Sequence, residues 1–418
     1  MIRSSSHTLK FTNQSKRLKL EKFLAEYRRL LQAIIDDVWE NGIPGFEVDI
    51  AENKLHIPSY LPNVYLKTFD SWFSARMKQC VGKQACAMLK ASTKKRKKQL
   101  WMLHKLQREG KPHKRLQSKI DRQPLRKPNA SKAKAVLDPR FIDFQKTDGE
   151  FNVFVRIRNI GNKLELRIPI KETRPSKKWK ELGTRKLSIR LSEDTLWFIY
   201  EVVNIEKKRH GRIVGCDQGM RAVVVLSDGQ RTKSCPHGHT LESIMSTLRR
   251  RRSGGKGFKR AQDHRSNYIN WSLNQLDWTG IKEVRYEKVK GIRYKRGNKS
   301  KMIHWTYTAI KKKVESLAEM EGFQIKEVDN RFRSQRCSVC SWVQKVNRRK
   351  ETFKCQQCSH EQDADLNAAL NLELNLYEIP FWVWQKKLNR EGFYWKSDGL
   401  FSLGHESIVR DAAKTNLA

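Results

Sequence analysis

Four cysteines in two closely spaced pairs constrain the fold of this 418-residue chain more than any other feature of its sequence. Cys337 and Cys340 form the first pair, and Cys355 and Cys358 form the second after 14 intervening residues. Two thiolate pairs at this spacing form a tetrahedral zinc site of the ribbon type. Because four thiolates leave no open coordination position, we predict one structural Zn²⁺ ion that folds residues 331–359 and takes no part in catalysis.

The other four cysteines are scattered along the chain, so the sequence does not predict a disulfide scaffold. A reducing compartment fits this usage. No apolar run approaches the roughly 18 residues that a membrane-spanning helix needs, and the amino-terminal residues lack the apolar segment of a signal peptide. We therefore expect an intracellular protein with no membrane partner.

Three acidic residues each lie at the end of an apolar element. Asp217 ends a buried-strand run, Glu287 lies at the end of a later strand, and Asp365 opens a segment of strong helical propensity. A single Asp between a strand and a glycine more often only forms a turn. Carboxylates that come together can, however, hold two Mg²⁺ ions about 4 Å apart, which is the arrangement that phosphodiester hydrolysis uses. The three acids together predict such a site.

The amino-terminal half of the chain changes pattern from strand to helix and back. Residues 8–12 predict a short strand, two segments with helical periodicity follow, and alternating apolar residues from 151 to 170 predict a β-hairpin. We expect a small β-barrel or sheet built from residues 1–14 and 135–210. A helical segment, residues 15–134, is then inserted between its first strand and the rest.

The carboxy-terminal half follows the order of a mixed α/β sheet covered by helices. Strand-like runs come first, and helix and strand patterns then alternate. The predicted strands lie at about 213–217, 222–226, 231–235, 282–289 and 323–328, and the predicted helices lie at about 241–276, with a break at Gly254–Gly255, and at 305–321.

The charge of the chain indicates a polyanionic partner. Lys and Arg number 86 against 44 Asp and Glu, which gives a formal net charge of +42. A basic run of this kind is often only a solvated face, but an excess of this size is typical of nucleic-acid binding. The residues that we predict to contact nucleic-acid phosphates are Lys94, Lys95, Arg96, Lys97, Lys98, Arg249, Arg250, Arg251 and Arg252.

Four motifs, taken in order, resemble those of a known family. They are Gly-Cys-Asp-Gln-Gly at 215–219, Arg-Tyr-Glu-Lys-Val at 285–289, Ser-Gln-Arg-Cys-Ser-Val-Cys at 334–340, and Asp-Ala-Asp-Leu-Asn-Ala-Ala at 363–369. In this order they resemble the RuvC-like nuclease of TnpB proteins, which insertion sequences encode and which are related to type V CRISPR effectors. The resemblance covers roughly residues 212–376.

The resemblance implies an α/β multidomain fold with an RNase H-like (RuvC) mixed sheet in residues 211–330 and 360–376. It makes Asp217, Glu287 and Asp365 the catalytic acids, with the four-cysteine zinc ribbon inserted before the last of them. The amino-terminal half then resembles a wedge β-barrel interrupted by a helical recognition lobe. Ser341 and Ser359 depart from the family pattern, because a glycine often follows each cysteine pair and allows a turn with positive φ.

The resemblance also implies function. Family members bind a guide RNA, pair it with target DNA beside a short motif that the protein reads, and cut the DNA at one RuvC-like site. We therefore expect a Mg²⁺-dependent, RNA-guided DNA endonuclease in the cytoplasm of a prokaryote, associated with the nucleoid. The alternatives are a nuclease-inactive RNA-guided DNA-binding regulator and a small type V CRISPR effector. A DNA-joining transposase ranks lowest, and the sequence leaves the oligomeric state undefined.

The carboxy-terminal segment, residues 377–418, falls outside the family core. It carries aromatic residues interleaved with Lys and Arg. Such a segment either packs its aromatic rings against the nuclease or stacks them on nucleic-acid bases. The aromatic residues are Tyr377, Phe381, Trp382, Trp384, Phe393, Tyr394, Trp395 and Phe401.

Overall fold

The computed structural model describes residues 1–288, apart from 51, 53, 124 and 220, together with residues 307–397, 401–403 and 406–408. It divides the chain into two units, Met1–Val203 and Asn204–Ala418. The end of the predicted strand 282–289, the start of the predicted helix 305–321 and most of the last 21 residues, 398–418, lie outside the described residues. Within the described ranges, no helix is long and apolar enough to cross a membrane.

The first unit contains two antiparallel sheets and a short strand pair, β2–β3. The larger sheet has the order β1-β9-β8-β4 and the smaller one the order β5-β6-β7. The closure of these strands into a single barrel stays a prediction. The strands are β1 (Ile2–Thr8), β2 (Val48–Asp49), β3 (Lys54–Leu55), β4 (Ala135–Leu137), β5 (Ile142–Lys146), β6 (Val153–Ile157), β7 (Leu166–Ile170), β8 (Gly183–Leu191) and β9 (Thr195–Val202).

The hairpin predicted between residues 151 and 170 is confirmed, because β6 pairs antiparallel with β7. The first strand was predicted at 8–12 but lies at Ile2–Thr8, so this prediction is wrong in its bounds. The buried face of β1 carries Ser5 and His7, which hydrogen-bond to each other (Oγ to Nε2, 2.8 Å). Because the buried positions of β1 are polar, the sequence lacks the alternation of apolar residues that would predict this strand.

Five helices accompany these sheets, and the longest carries the basic run. Helix α3 begins at Ser74, whose side chain accepts from the Met77 N–H, and continues through Lys94–Lys98 as far as Arg108. The apolar stripe of α1 is buried in the same core as β4, β6 and β7. The helices are α1 (Gln14–Asn41), α2 (Asn63–Lys67), α3 (Ala75–Arg108), α4 (Lys114–Arg122) and α5 (Arg174–Leu182).

The second unit is built on a mixed sheet with the strand order β11-β10-β12-β13. Strand β12 runs parallel to β10 and β13, whereas β11 is antiparallel to β10. The helical stretch breaks near Gly254–Gly255 as predicted. The elements are β10 (Arg212–Asp217), β11 (Val225–Leu226), α6 (Leu241–Arg250), α7 (Lys256–Leu273), β12 (Ile281–Glu287), α8 (Tyr307–Glu321) and β13 (Gln324–Val328).

The strand predicted at 231–235 is not formed; one isolated bridge, Val225 with Arg231, represents it. The Thr232 hydroxyl accepts instead from the main-chain N–H groups of Val223 (2.6 Å) and Val224 (3.3 Å). The Thr232 side chain thus accepts from main-chain N–H groups that would otherwise pair with a neighbouring strand. For the same reason, the strand predicted at 222–226 is shortened to β11.

Two small sheets and two helices complete the second unit. One sheet has the order β15-β16-β17, and the other, β14-β18-β19-β20, joins the ribbon to the carboxy-terminal segment. Phe393 and Trp395 are buried, so the packing alternative holds for this part of the segment. The elements are β14 (Trp342–Val343), β15 (Arg348–Arg349), β16 (Thr352–Lys354), β17 (Glu361–Asp363), α9 (Ala364–Glu373), α10 (Phe381–Gln385), β18 (Phe393–Trp395), β19 (Phe401–Leu403) and β20 (Glu406–Ile408).

Candidate active site and zinc centre

Two of the three predicted acids end neighbouring parallel strands. Asp217 is the last residue of β10, and Glu287 is the last residue of β12. The ladder between these strands pairs Cys216 with Tyr286, so Asp217 and Glu287 follow the last pair side by side at the carboxyl edge of the sheet. Because successive side chains alternate between the faces of a strand, both acids lie on the same face, opposite to Cys216 and Tyr286.

The third acid reaches this edge from helix α9. An added Cβ at Gly215 would lie 1.9 Å from the Ala369 carbonyl oxygen, so only glycine lets α9 pack so closely on β10. A Cβ on Gly219, two residues beyond Asp217, would lie 3.2 Å from Asp365 Oδ2. The start of α9 therefore brings the Asp365 carboxylate to the end of β10.

The neighbouring acid Asp363 has a different task. Its Oδ1 accepts from the N–H groups of Asp365 (3.0 Å) and Leu366 (2.9 Å), so Asp363 caps helix α9. Arg231 also forms an ion pair with Asp363, at 2.9 Å. These interactions leave Asp365 as the acid of this pair that faces the other two, in agreement with the family pattern.

Glu287 and Asp365 are close enough to Asp217 to perturb its carboxyl group. Burial, and then the negative charges of Glu287 and Asp365, raise the pKa of Asp217 well above its usual range. Burial also raises the pKa of Glu287, although a hydrogen bond from Asn330 opposes the shift. A buried cluster of like charges favours protonation or a bound cation. The site thus has the chemistry of a divalent-metal site.

Arg348 supplies positive charge to this cluster in the structure. Its Nη2 donates to Asp365 Oδ1 at 2.7 Å, and its charge opposes the upward shift in the pKa of Asp217. Arg348 belongs to β15 of the ribbon. From the sequence alone, Arg348 is predicted only to contact a nucleic-acid phosphate. A basic residue between two cysteine pairs does not indicate which acidic side chain it will contact.

The four predicted zinc ligands come together. Among the described residues they are the only group of three or more His, Cys, Asp or Glu whose ligand atoms all lie within 4.8 Å of one another. The Sγ atoms of Cys337 and Cys358 are 3.7 Å apart, and those of Cys340 and Cys355 are 3.5 Å apart. Thiolates around a tetrahedral Zn²⁺ ion, with bonds of about 2.3 Å, lie about 3.8 Å apart. The cluster therefore fits a zinc ribbon.

The serines that follow each cysteine pair adopt the conformation for which glycine is best suited. Ser341 has φ 71° and Ser359 has φ 58°, both in the left-handed region. Their N–H groups donate to the carbonyls of Cys337 and Cys355, each at 3.1 Å. The turn predicted from the departure from the family pattern is therefore present, and it is strained for an L side chain.

We expect Ser359→Gly to stabilise the protein by about 1 kcal/mol, because glycine adopts this φ without a Cβ clash. Ser341→Gly is the matched comparison. The Ser341 hydroxyl accepts from Arg336 Nη2 at 2.6 Å, so its loss should offset the gain. Thermal unfolding of the zinc-loaded variants measures both effects. A lower melting temperature for Ser359→Gly would contradict the assigned strain.

Two buried asparagines of α9 hold the first cysteine pair in place. Asn367 Nδ2 and Asn371 Nδ2 both donate to the Arg336 carbonyl oxygen, at 2.9 and 2.8 Å. Asn367 Oδ1 accepts from the Ser338 N–H at 3.1 Å, and Asn371 Oδ1 accepts from Arg336 Nη1 at 2.6 Å. The helix that carries Asp365 is thus joined through buried hydrogen bonds to the ribbon.

The predicted nucleic-acid contacts divide into exposed and buried residues. Lys94, Lys95, Lys97 and Lys98 are exposed on α3, and Arg250, Arg251 and Arg252 are exposed at the end of α6 and just beyond it. Arg249 is half-buried, and its Nε donates to the Met245 carbonyl at 3.3 Å.

Arg96 requires a correction, because it is only 7% exposed. Its guanidinium donates to the carbonyls of Ile120, at 2.9 Å, and Gln123. We reassign it to joining α3 to the end of α4. Beside it lies a cavity of about 580 Å³ whose walls also carry Lys95, Arg122 and Arg126. Among the described residues that line this cavity, none is acidic.

Comparison with known proteins supports the resemblance found in the sequence. Residues 307–372 match the family model "Cas12f1-like, TNB domain". The chain is 27% identical over 155 residues to the CRISPR-associated endodeoxyribonuclease Cas12f1 of Sulfoacidibacillus thermotolerans, a match that covers 37% of this chain and 36% of the relative. A TnpB-like protein of Aquifex aeolicus is 30% identical over 95 residues, which cover 21% of this chain and 31% of the relative.

The fold is also similar to that in a cryo-EM structure of a Cas12f1–sgRNA–target DNA complex. That match has a TM-score of 0.50 at 15% identity and covers 86% of this chain and 82% of the other. These matches place the similarity of the chain with TnpB proteins and type V effectors. The mixed α/β, multidomain architecture expected from this family is confirmed.

The chain matches only part of the curated relatives. The aligned segments span only about a third of the two relatives, 36% and 31% of their lengths. The match to the TNB model contains the four cysteines, Arg348 and Asp365, whereas Asp217 and Glu287 lie before it. The hydrogen bond from Arg348 to Asp365 therefore lies entirely inside the segment that matches the Cas12f1-like model.

Proposed function

We propose that this chain is an RNA-guided DNA endonuclease that hydrolyses the phosphodiester bonds of DNA. Asp217, Glu287 and Asp365 form its proposed catalytic site. The observation that carries the proposal is the convergence of these three acids, which are far apart in sequence, at one sheet edge, where the charges of Glu287 and Asp365 raise the pKa of Asp217. Similarity of part of the chain to a curated endodeoxyribonuclease supports the same reaction.

The three carboxylates would hold two Mg²⁺ ions, for which acidic oxygens are the preferred ligands. Bound there, the ions would generate a hydroxide nucleophile and stabilise the leaving oxygen. Arg348 is the positive side chain that acts on Asp217, and it compensates the buried negative charge only in part.

Other residues of the site position the acids. The Tyr307 hydroxyl donates to the Glu287 carbonyl oxygen, and Asn330 Nδ2 lies 3.4 Å from Glu287 Oε2. Arg348 orients Asp365 from the ribbon. Its guanidinium is also the nearest fixed positive charge for a phosphate that enters beside Asp365, and such a charge stabilises the transition state of phosphoryl cleavage.

The domains take the roles that the family implies. We assign the sheets of residues 1–14 and 135–210 to the wedge and residues 15–134 to the recognition lobe. The RuvC-like nuclease comprises residues 211–330 and 360–376, with the ribbon at 331–359 between them. Guide RNA and target DNA are the proposed partners, since the solved complex with the similar fold contains an sgRNA and target DNA and the net charge is +42.

Incubation of the purified protein with its copurified RNA and a matched DNA, with Mg²⁺ or with EDTA, tests the activity. Cleavage with Mg²⁺ alone is the expected result. Binding without cleavage would instead support the nuclease-inactive regulator. The match to the Cas12f1-like model favours a small type V effector as the second candidate, and sequencing of the copurified RNA separates a CRISPR-derived guide from a transposon-derived one. A random pool of RNA would contradict guidance.

The cavity beside Arg96 should bind a nucleic-acid phosphate. We expect Arg122→Glu with Arg126→Glu to weaken RNA binding and to lower the slope of log K against log salt by about 0.7–0.9 for each phosphate that the protein no longer neutralises. Lys111→Glu is the control, because Lys111 is exposed and paired with Glu109 at 2.9 Å. Arg96→Met should instead lower the melting temperature, since it leaves buried carbonyls unpaired. Equal salt slopes in all variants would contradict this assignment.

A further inference from the structure

Two tryptophans of the carboxy-terminal segment are exposed, whereas two other aromatic residues of the segment are buried. Trp382 and Trp384 lie on α10 and are 40% and 53% exposed, whereas Phe393 and Trp395 of β18 are 1% and 2% exposed. A tryptophan ring that faces solvent provides a large, rigid stacking surface and is enriched at binding sites. Val383 packs α10 on the core that contains Phe393 and Trp395, but this packing does not account for the two exposed rings.

Trp384 lines a cavity of about 360 Å³ between α10 and the segment that leads into the ribbon. We call it the Trp384 cavity. Phe332 adds a second ring, Arg331 and Lys387 add positive charge, and Gln335 and Asn389 add amides. The described residues that line it include no acid. An aromatic face beside cationic and amide groups matches the base and phosphate of a nucleotide.

The two cations of the cavity are not equivalent. Arg331 Nε donates to Asp329 Oδ2 at 2.6 Å, so its charge is largely compensated. Lys387 is exposed and has φ 54°, a left-handed conformation that is strained for an L side chain. A glycine would adopt this turn without strain, so the lysine side chain is retained at a conformational cost. Lys387 is therefore the cation of the cavity that can meet a phosphate from solvent.

The wall of the cavity is joined in sequence to a residue that contacts the active site. Arg331 directly follows Asn330, whose amide lies 3.4 Å from the Glu287 carboxylate. Asn389 Nδ2 donates to Gln335 Oε1 at 2.8 Å, which fixes both amides in the wall.

We propose that the Trp384 cavity binds one unpaired nucleotide of the DNA strand that enters the active site, with its base on the Trp384 indole and its phosphate at the Lys387 ammonium. The base must be unpaired and unstacked, because both faces of a base in a duplex are covered by its neighbours. This inference rests on the proposed function and adds to it a site that holds the strand beside the cut.

The test uses the full-length protein without added Mg²⁺ and single-stranded DNA that carries 2-aminopurine at one position at a time. Base–aromatic stacking of this strength corresponds to roughly 5- to 150-fold in affinity, so Trp384→Ala should weaken binding by that factor. Fluorescence quenching at one 2-aminopurine position should be lost in Trp384→Ala and partly restored in Trp384→Phe. Trp382→Ala, on the same helix but outside the cavity, is the matched control.

Lys387→Gly tests the phosphate interaction without a risk of misfolding. It removes the ammonium and relieves the left-handed strain, so the melting temperature should not fall, while the salt slope for single-stranded DNA should drop by about 0.7. Lys386→Ala is its control. Equal binding by the Trp384→Ala and Trp382→Ala proteins would overturn the proposal, and so would a loss confined to single-stranded RNA. These experiments measure DNA binding and not cleavage. They therefore test the cavity even if the protein does not cleave DNA.

Discussion

Replacement of Asp217 with alanine should abolish cleavage of a matched DNA, by a factor on the order of 10³ or more, while guide and target binding stay nearly unchanged. Asp217 lies at the centre of the acid cluster, and the charges of Glu287 and Asp365 both act on its pKa. Its loss leaves two carboxylates, which cannot hold a pair of cations between them. Cleavage assays under single-turnover conditions, with binding measured separately, check this expectation.

The pair Asp363 and Asp365 provides a matched control within three residues of sequence. Asp365→Asn should abolish cleavage as Asp217→Ala does, because it removes a carboxylate from the cluster. Asp363→Asn should leave cleavage largely intact, because asparagine caps a helix about as well as aspartate and Asp363 serves as the cap of α9. The reverse outcome, with Asp363→Asn inactive and Asp365→Asn active, would show that the acids have been assigned incorrectly.

Loss of zinc should have the second largest effect. We expect Cys355→Ser to lower the zinc content from one ion per chain towards none, to unfold the ribbon and to reduce cleavage strongly. Structural zinc contributes folding free energy directly, on the order of 10 kcal/mol in isolated zinc fingers. The ribbon also carries Arg348, which donates to Asp365, and β17 of the ribbon sheet leads directly into α9.

Cys235→Ser is the control for the zinc experiment, because Cys235 is a half-buried free cysteine outside the four-thiolate cluster. It should keep its zinc and its activity. Metal analysis by atomic emission and the thermal unfolding of both variants provide the comparison. A Cys355→Ser protein that retained zinc and cut DNA at the original rate would contradict the structural role of the ribbon.

The sequence predicted the parts of the fold that depend on short-range patterns. The cysteine spacing predicted the thiolate cluster, and acids at the ends of apolar strands predicted the pair Asp217 and Glu287, because parallel strands place their carboxyl ends at one edge. The buried alternation of β6 and β7 predicted their hairpin. In each case the information lies within a few residues of the element concerned.

What the sequence did not predict depends on interactions between distant residues. Arg96 and Arg348 are basic residues in basic surroundings, yet one pairs with buried carbonyls and the other with Asp365. The Thr232 hydroxyl accepts a main-chain hydrogen bond that a neighbouring strand would otherwise accept. Strand β1 buries Ser5 and His7 where apolar residues are expected. Periodicity cannot reveal such choices, because a polar side chain gives the same pattern whether it meets water or a buried partner.

Helix α9 also restricts how proteins of this kind can exchange parts. The first turn of α9 carries Asp365, and the absence of a side chain at Gly215 lets α9 pack closely on the sheet. Asn367 and Asn371 hydrogen-bond to the backbone just before the first cysteine pair. A zinc module taken from another protein would therefore have to offer the same carbonyl and N–H groups to these two amides. A donor ribbon that lacks these groups should leave Asn367 and Asn371 with unpaired buried amides, which costs stability.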